Sequence, residues 1–154
     1  MMFIPYRRVE IPTSLTVDEV VKRLSQRVDV RKSIWRGPWP PKSEYWGRAS
    51  AEGFQIVRFF RGRNTYVPLI TGHFNPSASG TVVTVRMTLH PVAFVVIAAI
   101  FGSAEFLSFR AGDGYGFGLL IAFLMLHCGM NLFGFYPEEK KSVDWLYTLF
   151  TDKA

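Results

Sequence analysis

VAFVVIAAIFGSAEFLSF, from Val92 to Phe109, and GFGLLIAFLMLHCGMNLFGFY, from Gly116 to Tyr136, stand back to back near the C-terminal end of the chain. The first holds 18 residues and one charge, Glu105; the second holds 21 residues and no charge. A helix rises ~1.5 Å per residue, so about 20 residues cross a hydrocarbon core of ~30 Å. Both stretches are long enough, and the short glycine-rich link between them folds them into an antiparallel hairpin. A core helix of a soluble protein seldom stays apolar all round for five turns. The expectation is a transmembrane hairpin over 91–136, with spans at about 91–109 and 116–136 and an outer loop at 110–115.

Charge gathers on either side of that hairpin. Residues 1–90 hold 14 Lys and Arg against 6 Asp and Glu, a net +8; residues 137–154 hold 3 against 4. Positive charge flanking membrane helices marks the cytoplasmic side. Both termini are therefore expected in the cytoplasm of a bacterial inner-membrane protein. Residues 1–90 and 137–154 would then form one small cytoplasmic domain. The start, MMFIPYRR, has too short an apolar run for a signal peptide, so insertion is expected to use the hairpin itself. The single cysteine, Cys128, lies inside the second stretch and offers neither a disulfide nor a zinc spacing.

The domain reads as α+β. Residues 3–11 form an extended arm or edge strand. Thr16 and Glu19 fit a capping box, with Leu15 and Val20 as its staple, and Val17, Val20, Val21, Leu24 and Val28 repeat at helical spacing. Residues 45–51, 54–60, 66–74 and 81–89 read as an antiparallel meander, four to five strands with the arm included. Val83, Val85, Met87 and Leu89 alternate with Thr84, Arg86 and Thr88, the cleanest strand pattern in the chain. Pro68 lacks an N–H, which predicts an edge position for its strand. Residues 75–80 read as a loop. A last helix is expected to start at Pro137, with Glu138 and Glu139 at its positive end and Val143, Leu146, Tyr147 and Phe150 as its stripe.

Candidate site residues fall into three groups. Between 29 and 44, Arg31, Lys32 and Arg36 interleave with Trp35 and Trp39. Indoles favour the membrane interface and basic side chains meet headgroup phosphates there; an ordinary solvated loop with tryptophans capping the core has the same composition. Arg58 shares parity with Phe54, Ile56 and Phe60 and needs an anionic or carbonyl partner if it points inward. Arg61 and Arg63 bracket a tight turn suited to gripping a phosphate or carboxylate. Inside the spans, Glu105, His127 and Asn131 are the polar residues, and intramembrane polar groups are functional candidates by default. Pairing residue n with about 226 − n sets Ala98 and Ala99 against Cys128 and His127, with Gly102 and Gly129 nearby, and predicts a tight small-residue contact.

Catalytic chemistry is not expected. His73, His90 and His127 do not cluster, no serine sits in a nucleophile elbow, and the glycine run 112–118 lacks the Lys and Ser/Thr of a phosphate loop. No cofactor or metal is expected, and nucleic acid is not an expected partner. The partners expected are the lipid bilayer and its anionic headgroups, with a homo-oligomer or a membrane protein partner left open.

FQIVR at 54–58, NTYVPLITG at 64–72 and GTVVTVRMTLHP at 80–91 together resemble a group of small uncharacterised bacterial membrane proteins. These share the order short helix, sheet, two-span hairpin, C-terminal helix. The layout is also similar, more loosely, to bacterial pleckstrin-homology-like membrane domains. The resemblance implies architecture and adds no catalytic residue. The function expected is a non-enzymatic, membrane-anchored binding or regulatory module with a basic cytoplasmic face; the alternative is a subunit of an oligomeric pore or of a larger membrane complex.

Overall fold

The computed structural model describes residues 5–30, 43–59, 66–89, 91–111 and 116–151. Its strands are β1 (Tyr6–Thr13), β2 (Val28–Val30), β3 (Tyr45–Ser50), β4 (Gly53–Arg58), β5 (Pro68–Ser77) and β6 (Gly80–Leu89). Its helices are α1 (Val17–Arg27), α2 (Pro91–Ala111), α3 (Gly116–Met130) and α4 (Tyr136–Thr151), with a π-helical turn at Asn131–Phe135 between the last two.

The six strands form one sheet in the order β1-β6-β5-β4-β3-β2. Four to five strands were expected. The additional one is β2, three residues directly after α1, which pairs parallel to β3 and makes the sheet mixed. Three residues carry no alternating pattern, so only the pairing reveals them. Pro68 is not on an edge, because β5 lies between β6 and β4; it is tolerated as the first residue of its strand. The segment expected as a loop over 75–80 tightens to a hairpin, with Ser77 paired to Gly80 around Ala78 and Ser79. Gly80 has φ +136°, and a Cβ there would strike the Thr13 carbonyl and Ser14.

α1 begins as its sequence dictates. Thr16 caps it, the Glu19 amide donates to the Thr16 hydroxyl, and the Glu19 carboxylate accepts from the Thr16 amide at 2.8 Å. α1 and α4 lie together on one face of the sheet. Val20, Leu24, Leu146 and Phe150 interlock there with Ile11, Ile56, Ile70, Val83, Val85 and Met87.

The C-terminal helix does not start afresh at Pro137. α3, the π turn and α4 run on as one helical rod from Gly116 to Thr151. Pro137 has no N–H for the carbonyl four residues back, and its ring crowds that carbonyl. The chain answers with a wider turn just before it, in which the Tyr136 amide donates to the Asn131 carbonyl five residues earlier. Within the rod, residues 120–151 form a helix long and apolar enough, by length and composition, to cross a membrane. α2 lies beside α3, and Phe101 packs at a tilt against Phe123 with ring centroids 4.0 Å apart. Among the described residues the small-residue contact expected between these helices does not form. A Cβ at Gly102 or Gly129 would meet nothing, and Ala98 and Ala99 are exposed.

Candidate functional site

Where the rod meets the sheet, polar side chains are buried in a row. His127 and Asn131 are four residues apart, so they share one face of the helix. The Asn131 amide nitrogen meets Nε2 of His127 at 3.2 Å, and Nδ1 of His127 meets the hydroxyl of Tyr66 at 3.3 Å. With the Asn131 amide nitrogen as donor, the matching neutral tautomer has Nε2 accepting and Nδ1–H donating to the Tyr66 oxygen; the other tautomer, with the amide turned over, reverses both contacts. Tyr66 is 2% exposed, and His127 and Asn131 are 6% exposed each. Phe123 packs on the imidazole with centroids 5.9 Å apart. Oδ1 of Asn131 is buried with no hydrogen-bond partner among the described residues. The cluster sits at the π turn, a distortion that recurs at functional positions in helices.

One turn further on, the rod is fastened to the sheet by charge. Arg58, at the end of β4, donates to Glu138 at 2.6 Å, and Lys141 donates to the other carboxylate oxygen at 2.9 Å. Glu44 approaches Arg58 to 3.8 Å. Burial alone would raise the Glu138 carboxyl, but the hydrogen bonds and charges of Lys141 and Arg58 outweigh it and hold the carboxyl below the usual glutamate range. Glu139 faces Arg7 on β1 at 3.4 Å; burial dominates there and pushes its carboxyl up. Tyr45 donates to the Ser142 hydroxyl at 3.2 Å, and its ring stacks on Trp145 at 4.0 Å. Burial raises the Tyr45 hydroxyl, with Ser142 opposing. Arg23 and Thr13 donate to the carbonyls of Leu149 and Phe150. Gln26, Arg27, Ser43, Glu44 and Trp145 border a half-open cleft of about 490 Å³ beside this fastening.

The acids of the Pro137 segment therefore act differently from the expectation. Glu138 and Glu139 do not sit at a free helix N-terminus, because the helix arrives from α3; they meet arginines of the sheet instead. Arg58 does point to the covered side and finds an anionic partner within the chain. His127 and Asn131 are brought together and joined by Tyr66, which the sequence reading did not single out. Glu105 lies apart in α2, and its Oε1 has no hydrogen-bond partner among the described residues. Arg31, Lys32, Trp35, Arg36, Trp39, Arg61 and Arg63 lie outside the described residues. Among the described residues no three His, Cys, Asp or Glu side chains gather as a metal site would require.

Tyr66, Glu138, Glu139 and Ser142 are the functional candidates that sequence reasoning missed. For Glu138, Glu139 and Ser142 the only signal was polar or acidic character inside otherwise apolar helical periodicity. Arg58 and Tyr45 come from strands 80 and 97 positions away and Arg7 from β1, while Tyr66 precedes β5 and its partner His127 lies on the rod 61 positions on. No protein-family model, no curated protein and no solved structure matches the chain.

Proposed function

We propose that this protein is a membrane-anchored, non-enzymatic binding or regulatory module, with α2 and α3 in the bilayer as a hairpin and the sheet domain on the cytoplasmic side. The observation that carries the reading is the contrast along the rod. Phe135, Leu146 and Phe150 are buried in the domain core, while Ile121, Met125, Leu126, Leu132 and Phe133 stand 44 to 85% exposed. On α2, Ile100, Phe106, Leu107 and Phe109 are 58 to 85% exposed. Contiguous apolar surface on this scale marks a membrane or partner interface. α2, at 21 residues, is about 31 Å long, which matches a hydrocarbon core.

The rod then transmits position between bilayer and sheet, since the same helix is lipid-facing above and core-packed below. His127 and Asn131 are engaged within the protomer, which favours a surface module over a polar-lined pore. The basic excess of residues 1–90, with Arg31, Lys32 and Arg36 beside Trp35 and Trp39, suits anionic headgroups at the cytoplasmic leaflet.

Topology labelling tests the reading. In a Cys128→Ala background, an Asp113→Cys variant is treated on intact cells with a membrane-impermeant maleimide. Labelling from outside, in protein that stays in the membrane pellet after carbonate extraction, is the expected result. Unlabelled protein recovered in the soluble fraction would mean that α2 and α3 are covered by protein and would overturn the proposal.

A further inference from the structure

α1 and α4 cover one face of the sheet; the other is uncovered among the described residues. On that open face the pairing register sets side chains in rungs. Arg8 stands opposite Arg86, Arg86 opposite Thr71, Thr71 opposite Gln55, and Gln55 opposite Arg48. Directly paired residues project from the same side of a sheet. These five therefore form one continuous row, roughly 19 Å across at ~4.8 Å per strand. Arg8, Arg86, Gln55 and Arg48 are exposed and Thr71 is half-buried.

Like charges directly opposite one another destabilise a ladder, and Arg8 and Arg86 are set that way. Glu10 meets Arg8 at 2.8 Å. Arg86 and Arg48 form no ion pair among the described residues. The row is a line of guanidinium, hydroxyl and amide donors with its positive charge only partly met.

The neighbouring rung on the hairpin side is different in kind. It holds Tyr6, Thr88, Leu69, Val57 and Trp46, again one residue per strand. Trp46 packs edge-on against Phe59, with centroids 6.2 Å apart, and Tyr6 is 40% exposed. β6 ends at Leu89 and α2 starts at Pro91, so Thr88 sets this rung at the end of the sheet from which the hairpin departs. Same-face rungs are ~6.8 Å apart. Aromatic and aliphatic side chains thus lie at the hairpin end of the open face, and arginines follow one rung behind. That is the order of an interface, with rings at the edge of the hydrocarbon and guanidinium groups at phosphate depth.

We propose that the Arg8–Arg86–Arg48 rung binds the phosphates of anionic phospholipid headgroups in the cytoplasmic leaflet around the hairpin. The assignment rests on the membrane reading above and adds a headgroup-binding surface on the sheet to the one expected in the 29–44 segment. Guanidinium groups grip phosphate oxygens two at a time. A nucleic acid or an acidic peptide in water would leave the apolar rung without a use, whereas a bilayer engages both rungs together.

The test uses the full chain reconstituted in phosphatidylcholine bilayers containing spin-labelled phosphatidylglycerol or spin-labelled phosphatidylcholine, and reads the protein-immobilised fraction of each. Wild-type protein is expected to prefer phosphatidylglycerol. Arg48→Gln and Arg86→Gln should each lower that preference by up to about fivefold at low salt, and high salt should erase the difference. A preference that survives the double variant and falls only on Arg31→Gln/Lys32→Gln/Arg36→Gln would overturn the rung while leaving the surface module standing. Displacement of phosphatidylglycerol by inorganic phosphate at matched ionic strength would make the rung a free-anion site and overturn the headgroup assignment. Tighter binding of an acidic peptide or an oligonucleotide than of phosphatidylglycerol vesicles would do the same. Carbonate extraction of each variant separates these outcomes from failure of the membrane reading, since a rung that binds no lipid leaves the protein in the pellet.

Discussion

The hydroxyl of Tyr66, two residues ahead of β5, and Nδ1 of His127, on the long C-terminal rod, meet 3.3 Å apart across 61 positions of sequence. The contact joins the sheet to the helix at the level of the π turn. Tyr66→Phe removes the hydroxyl and with it this contact to the buried imidazole. It should cost roughly 1–2 kcal/mol, read as a lower melting temperature of the purified protein. An unchanged melting temperature would show that the pair contributes nothing to holding rod and sheet together.

Asn131 makes a sharper prediction because its two amide atoms fare differently. Nδ2 is bonded to His127 while Oδ1 is buried and unpartnered. Asn131→Leu gives up one bond and also removes the desolvated oxygen, so stability should change by no more than about 1 kcal/mol. Asn131→Asp buries a carboxylate beside the His127 imidazole and should cost on the order of 3 kcal/mol or more unless the ring or the carboxyl takes up a proton. Comparable losses in the two variants would mean that Oδ1 has a partner after all.

Arg58 and Glu138 set an acid limit to stability. The folded state holds the Glu138 carboxyl below the usual range, so its contribution is fully present above the unfolded value and fades as pH falls through the folded one. Glu138→Gln should cost roughly 2–3 kcal/mol at neutral pH, discounting the buried-pair figure because the Arg58 side chain is 23% exposed. It should also flatten the acid limb of a melting-temperature profile. An acid limb of unchanged slope would place the titration elsewhere.

Glu139, the next residue, behaves with the opposite sign. Burial raises its carboxyl against the weaker pull of Arg7, so stability is lost as pH rises from the unfolded value through the folded one. Glu139→Gln should be neutral or slightly stabilising at pH 7 and should remove that loss. A clear destabilisation at pH 7 would show that the Arg7 pair outweighs burial.

Gly72 on β5 is packed against the ring of Phe54 on β4, its cross-strand partner. A Cβ at position 72 would overlap that ring. Gly72→Ala should therefore cost about 1–3 kcal/mol by overpacking, and Gly72→Ala with Phe54→Leu should recover part of it. Additive losses in a double-mutant cycle would deny the contact.

Much of the local structure was legible in the sequence because it depends on neighbours a few residues apart. Thr16 and Glu19 define the start of α1, the alternation of Val83, Val85, Met87 and Leu89 defines β6, and 21 apolar residues define a long helix. The charge balance and the apolar stretches by themselves gave the expectation of a bilayer and its sidedness. Tertiary structure decided what those elements do to one another. The parallel pairing of Val28–Val30 with Tyr45–Gly47 takes β2 into the sheet although three residues carry no pattern of their own. Pro137 reads locally as a helix start, yet packing of Phe135, Leu146 and Phe150 in the core carries the helix through it, with the π turn absorbing the missing hydrogen bond. His127 and Asn131 share a face by helical spacing, but Tyr66 comes to them only through the tertiary fold, from the turn ahead of β5. Arg8, Arg86 and Arg48 lie 38 to 78 positions apart, and only the ladder registers of four strand pairs set them in one row. Spacing along the chain fixes a residue's face, whereas its neighbours on that face are chosen by long-range pairing and the burial it permits.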